Sequence, residues 1–160
     1  MGNVRDMTYC GLYCMLCATK SRIPQTATAL RDTLAGDGWE DYGEYIVPDF
    51  MQFWVTLNRL ADFDKTCPDC RGGCGDPGCN IRKCATDREV ELCPFCEQYP
   101  CKHISELAQR YPNLIGDGER LKKIGVEAWV EEQEERCRTG FCYCDIRFPQ
   151  KGDVAQTHGD

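Results

Sequence analysis

The chain has 160 residues, 14 of which are cysteine, and its formal net charge is −7 at pH 7. A protein that binds DNA or RNA needs a cationic face that displaces counterions, so this acidic balance argues against a nucleic-acid partner. No run approaches the roughly 18 apolar residues of a membrane-spanning helix, and the N-terminal residues carry no apolar secretion signal. We therefore predict one cytoplasmic domain without a nucleic-acid or membrane partner.

Helices are predicted for residues 18–66, a stretch that contains no cysteine. Apolar residues recur at helical spacing after Pro24, a favourable residue for a first helical turn. A second apolar stripe runs from Tyr42 to Leu60 and is interrupted by Pro48, which cannot continue a helix. Its aromatic side chains are typical of a core-facing helix surface rather than of a cofactor site.

Residues 67–101 hold eight closely spaced cysteines. They are predicted to be mainly loops because glycine and proline interrupt any longer element. One or two helical turns are expected from Asn80 to Arg88. Helical spacing returns over residues 102–136. The last helix there has Trp129 and Val130 on one side, and its other side is predicted to be solvated because it carries Glu131, Glu132, Glu134 and Glu135. No alternating strand pattern occurs in the chain.

The predicted fold class is therefore mainly α with a cysteine-rich, loop-dominated metal-binding middle segment, in one small domain. This domain covers residues 1–147, with a helical insert at 18–66, the cysteine-rich segment at 67–101 and a helical segment at 102–136. Residues 148–160 are predicted to be a flexible tail. The apolar share is modest once the cysteines are set aside, so metal ligation is expected to contribute to folding.

The cysteines fall in short runs, and repeated C-x2-C pairs are typical of thiolate metal sites because two such thiols can reach one ion from a tight turn. A disulfide framework is the alternative, but it belongs to oxidising compartments and needs an export signal. The expected metal is Zn²⁺, with a [4Fe–4S] cluster as the alternative, because thiolate-rich sites select either. The ten predicted metal ligands are Cys10, Cys14, Cys17, Cys67, Cys70, Cys79, Cys84, Cys93, Cys96 and Cys101.

The spacing of these cysteines allows several groupings around metals. Two C-P-x-C turns are typical of one four-thiolate zinc site, which would consist of Cys67, Cys70, Cys93 and Cys96. The other six predicted ligands would then supply a second site. No role is predicted from spacing for the four remaining cysteines, which are Cys74, Cys137, Cys142 and Cys144.

No catalytic residues are predicted. The C-x3-C-x2-C run that begins at Cys10 has the spacing of radical S-adenosylmethionine enzymes, but the alternating strands and helices of their barrel are missing. The Cys93–Cys96 pair has the spacing of a glutaredoxin active site, again without the βαβ frame that such a site needs. We expect a binding protein with structural zinc sites and a protein partner. The alternatives are an electron-transferring iron–sulfur protein and a thiol-based sensor of metals or oxidants that would use Cys74, Cys142 and Cys144.

Four motifs occur in order along the chain. They are Cys10-Gly-Leu-Tyr-Cys-Met-Leu-Cys17, Cys79-Asn-Ile-Arg-Lys-Cys-Ala85, Cys93-Pro-Phe-Cys96 followed by Tyr99-Pro-Cys101, and Gly125-Val-Glu-Ala-Trp-Val-Glu-Glu-Gln133. Together they resemble Domain of Unknown Function 3795, a cysteine-rich family of bacteria and archaea.

The resemblance implies a prokaryotic, metal-binding protein without an established activity. Some relatives carry a C-x-x-C-G motif after the last helix, whereas this chain has Cys137, Cys142 and Cys144 in a C-x4-C-x-C spacing. Cys74 also falls outside the family pattern. The four motifs contain eight of the ten predicted ligands, all except Cys67 and Cys70, and the resemblance supports those eight most directly.

Overall fold

The computed structural model describes residues 4–147, so the tail predicted for residues 148–160 lies outside the described part of the chain. The helices are α1 (Arg22–Gly36), α2 (Trp39–Ile46), α3 (Phe50–Ala61), α4 (Phe63–Thr66), α5 (Asn80–Asp87), α6 (Lys102–Ala108), α7 (Leu114–Ile124), α8 (Val126–Arg138) and α9 (Cys144–Arg147). Short 3₁₀ turns occur at Val4–Asp6, Cys14–Leu16 and Cys93–Phe95.

The prediction of a mainly α fold with cysteine-bearing loops is confirmed. Within residues 4–147 the structure has no β-strand, and the pairing of Met7 with Tyr13 is an isolated bridge. Pro48 lies between α2 and α3, at the predicted interruption. Gly125 separates α7 from α8 with a φ of 83°, a left-handed backbone value that favours glycine.

Helices α1, α2 and α3 form a helical unit with its own apolar centre. Phe50 and Trp54 are buried there and stack with their ring centroids 5.9 Å apart. Gly43 allows α2 to approach them, because a Cβ atom at this position would lie 2.6 Å from the Phe50 ring. The stripe predicted between residues 42 and 60 supplies this core only in part, through Phe50, Trp54 and Leu57. Its members Tyr45, Ile46, Phe53 and Leu60 are exposed, because α2 and α3 bury only one side of each helix.

A second core joins the two ends of the described chain. Trp129 is fully buried at its centre, on the face of α8 that the sequence predicts to point inward. The Tyr143 backbone N–H donates to the Leu16 carbonyl at 2.9 Å, and the Tyr13 N–H donates to the Tyr143 hydroxyl oxygen at 3.0 Å. The segment that follows α8 is therefore bound to the segment that carries the first cysteines.

The cysteine-rich segment contributes few side chains to these cores. Its buried apolar side chains are Ile81, Ala85, Leu92 and Pro94. Arg71 connects the segment to the N-terminal part of the chain, because its guanidinium donates to the Met7 carbonyl at 2.9 Å. A third, smaller apolar cluster joins the segment to the C-terminal helices, because Ile81 packs with Ile104 of α6 and Leu114 of α7. None of the helices within residues 4–147 is long and apolar enough to cross a membrane.

Candidate metal centre

Four cysteines line one cavity of about 240 Å³, which we call the four-cysteine cavity. They come from three separate segments of the chain. Cys84 lies on α5, Cys93 and Cys96 lie on the 3₁₀ turn and directly after it, and Cys101 lies immediately before α6. Apolar side chains of α5 and α6 complete the inner wall. The cavity therefore collects four thiols where the cysteine-rich segment meets the C-terminal helices.

The tight turn at Cys93–Cys96 places both of its thiols in the lining of the four-cysteine cavity. The Cys96 N–H donates to the Cys93 carbonyl at 2.9 Å, and the Tyr99 N–H donates to the Cys96 carbonyl at 3.0 Å. The turn is attached to the N-terminal part of the chain, because the Cys93 N–H donates to the Tyr9 carbonyl at 2.7 Å. Two cysteines on one such turn are a common half of a structural zinc site.

The thiols of the four-cysteine cavity influence one another electrostatically. Burial raises the pKa of Cys93 to about 12 from an ordinary value of 9.0. The neighbouring Cys10, Cys101, Cys96 and Cys84 thiols raise this pKa further. Without a cation the Cys93 thiol therefore keeps its proton at neutral pH. A thiophilic metal has to displace that proton, so metal affinity is expected to fall as the pH is lowered.

A second cavity, of about 190 Å³, is lined by six cysteines and is called here the six-cysteine cavity. These residues are Cys10, Cys14, Cys17, Cys70, Cys74 and Cys79. Burial raises the pKa of Cys10 and of Cys14 to about 11. A hydrogen bond from the Cys70 backbone lowers the pKa of Cys14, so the C-x3-C-x2-C run packs directly against the loop that carries Cys70.

Cys67 and Cys74 are joined by a disulfide in the structure, with their Cα atoms 6.3 Å apart. The glycine-rich loop between them turns back at Asp69, whose carbonyl accepts a hydrogen bond from the Cys74 N–H at 3.0 Å. Cys67, which is predicted to be a metal ligand, is therefore not a free thiol in this state. Cys74, which is predicted to be a spare thiol, is its partner.

The structure does not assemble the predicted site of Cys67, Cys70, Cys93 and Cys96. Cys70 lines the six-cysteine cavity, whereas Cys93 and Cys96 line the other one. The spacing of C-x2-C pairs indicates which thiols lie on the same turn. The packing of α5 and α6 determines which turns are adjacent in the folded chain. The cavities bring together nine of the ten predicted ligands as two new groups.

The thiols line the cavities without converging on a common point. Among the described residues 4–147, no three cysteine, histidine or carboxylate side chains are arranged so that they could hold a metal ion. His103 on α6 also lines the four-cysteine cavity. Its Nδ1 atom lies 4.0 Å from the Glu106 carboxylate.

The three cysteines after the cysteine-rich segment lie outside both cavities. Cys137 is half-buried near the end of α8. Cys142 is buried and Cys144 is partly exposed, and their sulfur atoms are 3.2 Å apart. Sequence spacing does not predict this contact, because it depends on the turn that precedes α9.

Comparison with known proteins gives one match. The family model described as "Protein of unknown function (DUF3795)" matches residues 6–106. This range contains every cysteine that lines either cavity, and it ends before the Gly125–Gln133 motif and the last three cysteines. No curated protein and no solved structure matches the chain significantly. Because the matched range covers more than half of the chain, this protein belongs to the DUF3795 family of proteins of unknown function.

Proposed function

We propose that the protein binds zinc through the thiolates of Cys84, Cys93, Cys96 and Cys101, and that this zinc has a structural role. The observation that carries the proposal is the four-cysteine cavity itself, in which cysteines from three segments line one small space. Four thiolates satisfy the tetrahedral preference of Zn²⁺ and leave no open position for a substrate. Zinc binding would require these thiols to move closer together, because no three of them are placed to hold a metal ion within residues 4–147.

The physical consequence of such a site is the attachment of the loop-rich segment to the helices. Cys84 would link α5, the Cys93–Cys96 pair would link the central turn, and Cys101 would link α6. These elements already share one apolar cluster, in which Ile81 of α5 packs with Ile104 of α6 and Leu114 of α7. Metal–thiolate bonds would supply the stabilisation that a larger apolar core gives elsewhere.

Substitution of one proposed ligand gives the first test. Cys96→Ser is expected to lower the zinc content by about one ion per chain, because a serine hydroxyl stays protonated and a four-thiolate site loses much of its affinity with one ligand removed. Zinc is measured by elemental analysis of protein purified under reducing conditions. Cys137→Ser is the matched control, since Cys137 lies outside both cavities, and it should retain the wild-type zinc content. Equal zinc content in the Cys96→Ser and wild-type proteins would rule out this site.

The six-cysteine cavity supports a second candidate, which is an iron–sulfur cluster that transfers electrons. Five of its cysteines are free thiols, and three of them come from the compact run Cys10–Cys17. A [4Fe–4S] cluster takes four thiolates and is held in proteins by closely spaced cysteines of this kind. Anaerobic purification distinguishes the candidates, because a cluster gives brown protein that contains iron and sulfide, whereas zinc gives colourless protein.

The proposed structural role is accompanied by a candidate surface for a protein partner. Three apolar side chains near the turn between α2 and α3 are exposed: Tyr45 at 90%, Val47 at 43% and Met51 at 48%. Exposed apolar side chains that cluster in this way are typical of a protein-binding surface. The acidic charge of the chain and this surface both favour a protein partner over nucleic acid.

A further inference from the structure

Cys142 and Cys144 form a pair of thiols that the proposed metal sites do not use. Their sulfur atoms are 3.2 Å apart, close enough for one thiol to donate a hydrogen bond to the other. The turn that brings them together is closed by the Asp145 N–H, which donates to the Cys142 carbonyl at 2.9 Å. The intervening Tyr143 is buried and is hydrogen-bonded through both its backbone and its hydroxyl group. The pair is therefore held in a fixed arrangement.

The surroundings of the two sulfur atoms differ. Arg22 on α1 donates to the Cys144 sulfur at 3.3 Å, and the same guanidinium is held by the Asp145 carboxylate and by the Gly140 carbonyl at 3.1 Å. The pKa of Cys144 is raised overall, by burial, by the adjacent Cys142 sulfur and by Asp145, and Arg22 offsets part of this increase. Cys142 is only 1% exposed, with the Ser21 hydroxyl 3.8 Å from its sulfur. One thiol is thus accessible beside a cation, and its neighbour is protected.

The distance between the sulfur atoms favours a covalent bond between them over a bridging metal ion. Two thiolates that share a tetrahedral metal lie about 3.8 Å apart, given metal–sulfur bonds of about 2.3 Å. The observed 3.2 Å is shorter than this separation. A further approach of the two sulfur atoms would bring them to the length of a disulfide bond, about 2.05 Å.

We propose that Cys144 and Cys142 form a dithiol–disulfide couple that exchanges electrons with small-molecule disulfides. The Cys144 thiolate attacks one sulfur of the incoming disulfide, which forms a mixed disulfide and releases the first small thiol. Cys142 then loses its proton and attacks the Cys144 sulfur, which closes the Cys142–Cys144 bond and releases the second small thiol. Two electrons pass from the protein to the incoming disulfide, whose two sulfur atoms are reduced. Arg22 is a positioning residue that stabilises the Cys144 thiolate.

The test uses the full chain, loaded with metal and treated with glutathione disulfide, followed by alkylation of the remaining thiols and peptide mapping. The wild-type protein is expected to yield a peptide in which Cys142 and Cys144 are joined to each other and carry no alkyl group. Cys142→Ser is expected to accumulate a mixed disulfide of Cys144 with glutathione, because the second step is blocked. In this background Arg22→Gln should slow formation of the mixed disulfide several-fold, and Arg22→Lys should slow it less. Cys137→Ser should behave as the wild-type protein does.

Mapping of the wild-type protein decides the proposal even if a variant fails to fold. Alkylation of both Cys142 and Cys144 at saturating glutathione disulfide would overturn it. A disulfide from either cysteine to Cys137, or separate glutathione adducts on both, would also overturn it. The metal content is measured before and after the reaction, and an unchanged value shows that the pair reacts independently of the proposed zinc site.

Discussion

Complete removal of metal is expected to unfold the cysteine-rich segment of residues 67–101 while α1 and α3 remain protected. The segment contains few buried apolar side chains, so the proposed zinc–thiolate bonds supply much of its stability. The α1–α3 unit has a separate apolar centre around Phe50 and Trp54, and it carries no cysteine. Hydrogen exchange of peptides from both regions, measured before and after treatment with a strong chelator, checks this result.

The same experiment contains its own control. Loss of protection that is confined to residues 67–101 and the start of α6 would support the account, because these parts carry the four-cysteine cavity. Acid should produce the same pattern, since protons compete with metal for thiols such as Cys93, whose pKa is raised to about 12. Full protection of residues 67–101 after elemental analysis has verified metal removal would contradict a structural role for the metal.

Gly118→Ala is expected to destabilise the protein by about 1–3 kcal/mol, the range of an overpacked core position. Gly118 is buried on α7, and a Cβ atom there would lie 2.7 Å from Cζ of Tyr99 and would also collide with the Tyr99 hydroxyl oxygen. This hydroxyl group donates to the Leu114 carbonyl at 3.3 Å, so the ring cannot shift without losing that bond. Tyr99 also lines the four-cysteine cavity, and its displacement should weaken zinc binding.

Gly116→Ala is the matched control on the same helix. A Cβ atom at Gly116 meets nothing within 4 Å, and the residue is exposed. Alanine has the higher helix propensity, so this variant should be unchanged or more stable by up to about 1 kcal/mol. Chemical denaturation of the metal-loaded proteins and zinc competition titrations measure both effects. Equal stability of the two variants would show that the Tyr99 ring can move to make space for a Cβ atom at position 118.

The helices were predictable because their signals are local. Pro24 and Pro48 mark boundaries that depend only on the missing amide hydrogen and the fixed φ of proline. The burial of Trp129 follows from its position opposite the acidic side chains of α8. Each of these predictions concerns residues within a few positions of one another, where sequence pattern and structure are closely linked.

The grouping of the cysteines was not predictable, because it depends on contacts between distant segments. Cys84 and Cys101 reach one cavity only because α5 and α6 pack together. The contact between Arg22 and Cys144 joins residues separated by 122 positions in the sequence. Spacing identifies thiols that share a turn, and it contains no information about which turns the tertiary fold brings together.

The most direct measurement of the central claim is X-ray absorption at the zinc edge, on protein reconstituted with one equivalent of zinc. The proposed site should give four sulfur neighbours at about 2.3 Å, without nitrogen or oxygen neighbours. Cys96→Ser should lose this four-sulfur environment, and Cys137→Ser should keep it. A zinc ion surrounded mainly by nitrogen or oxygen, or a four-sulfur environment that survives in Cys96→Ser, would contradict the assignment to Cys84, Cys93, Cys96 and Cys101.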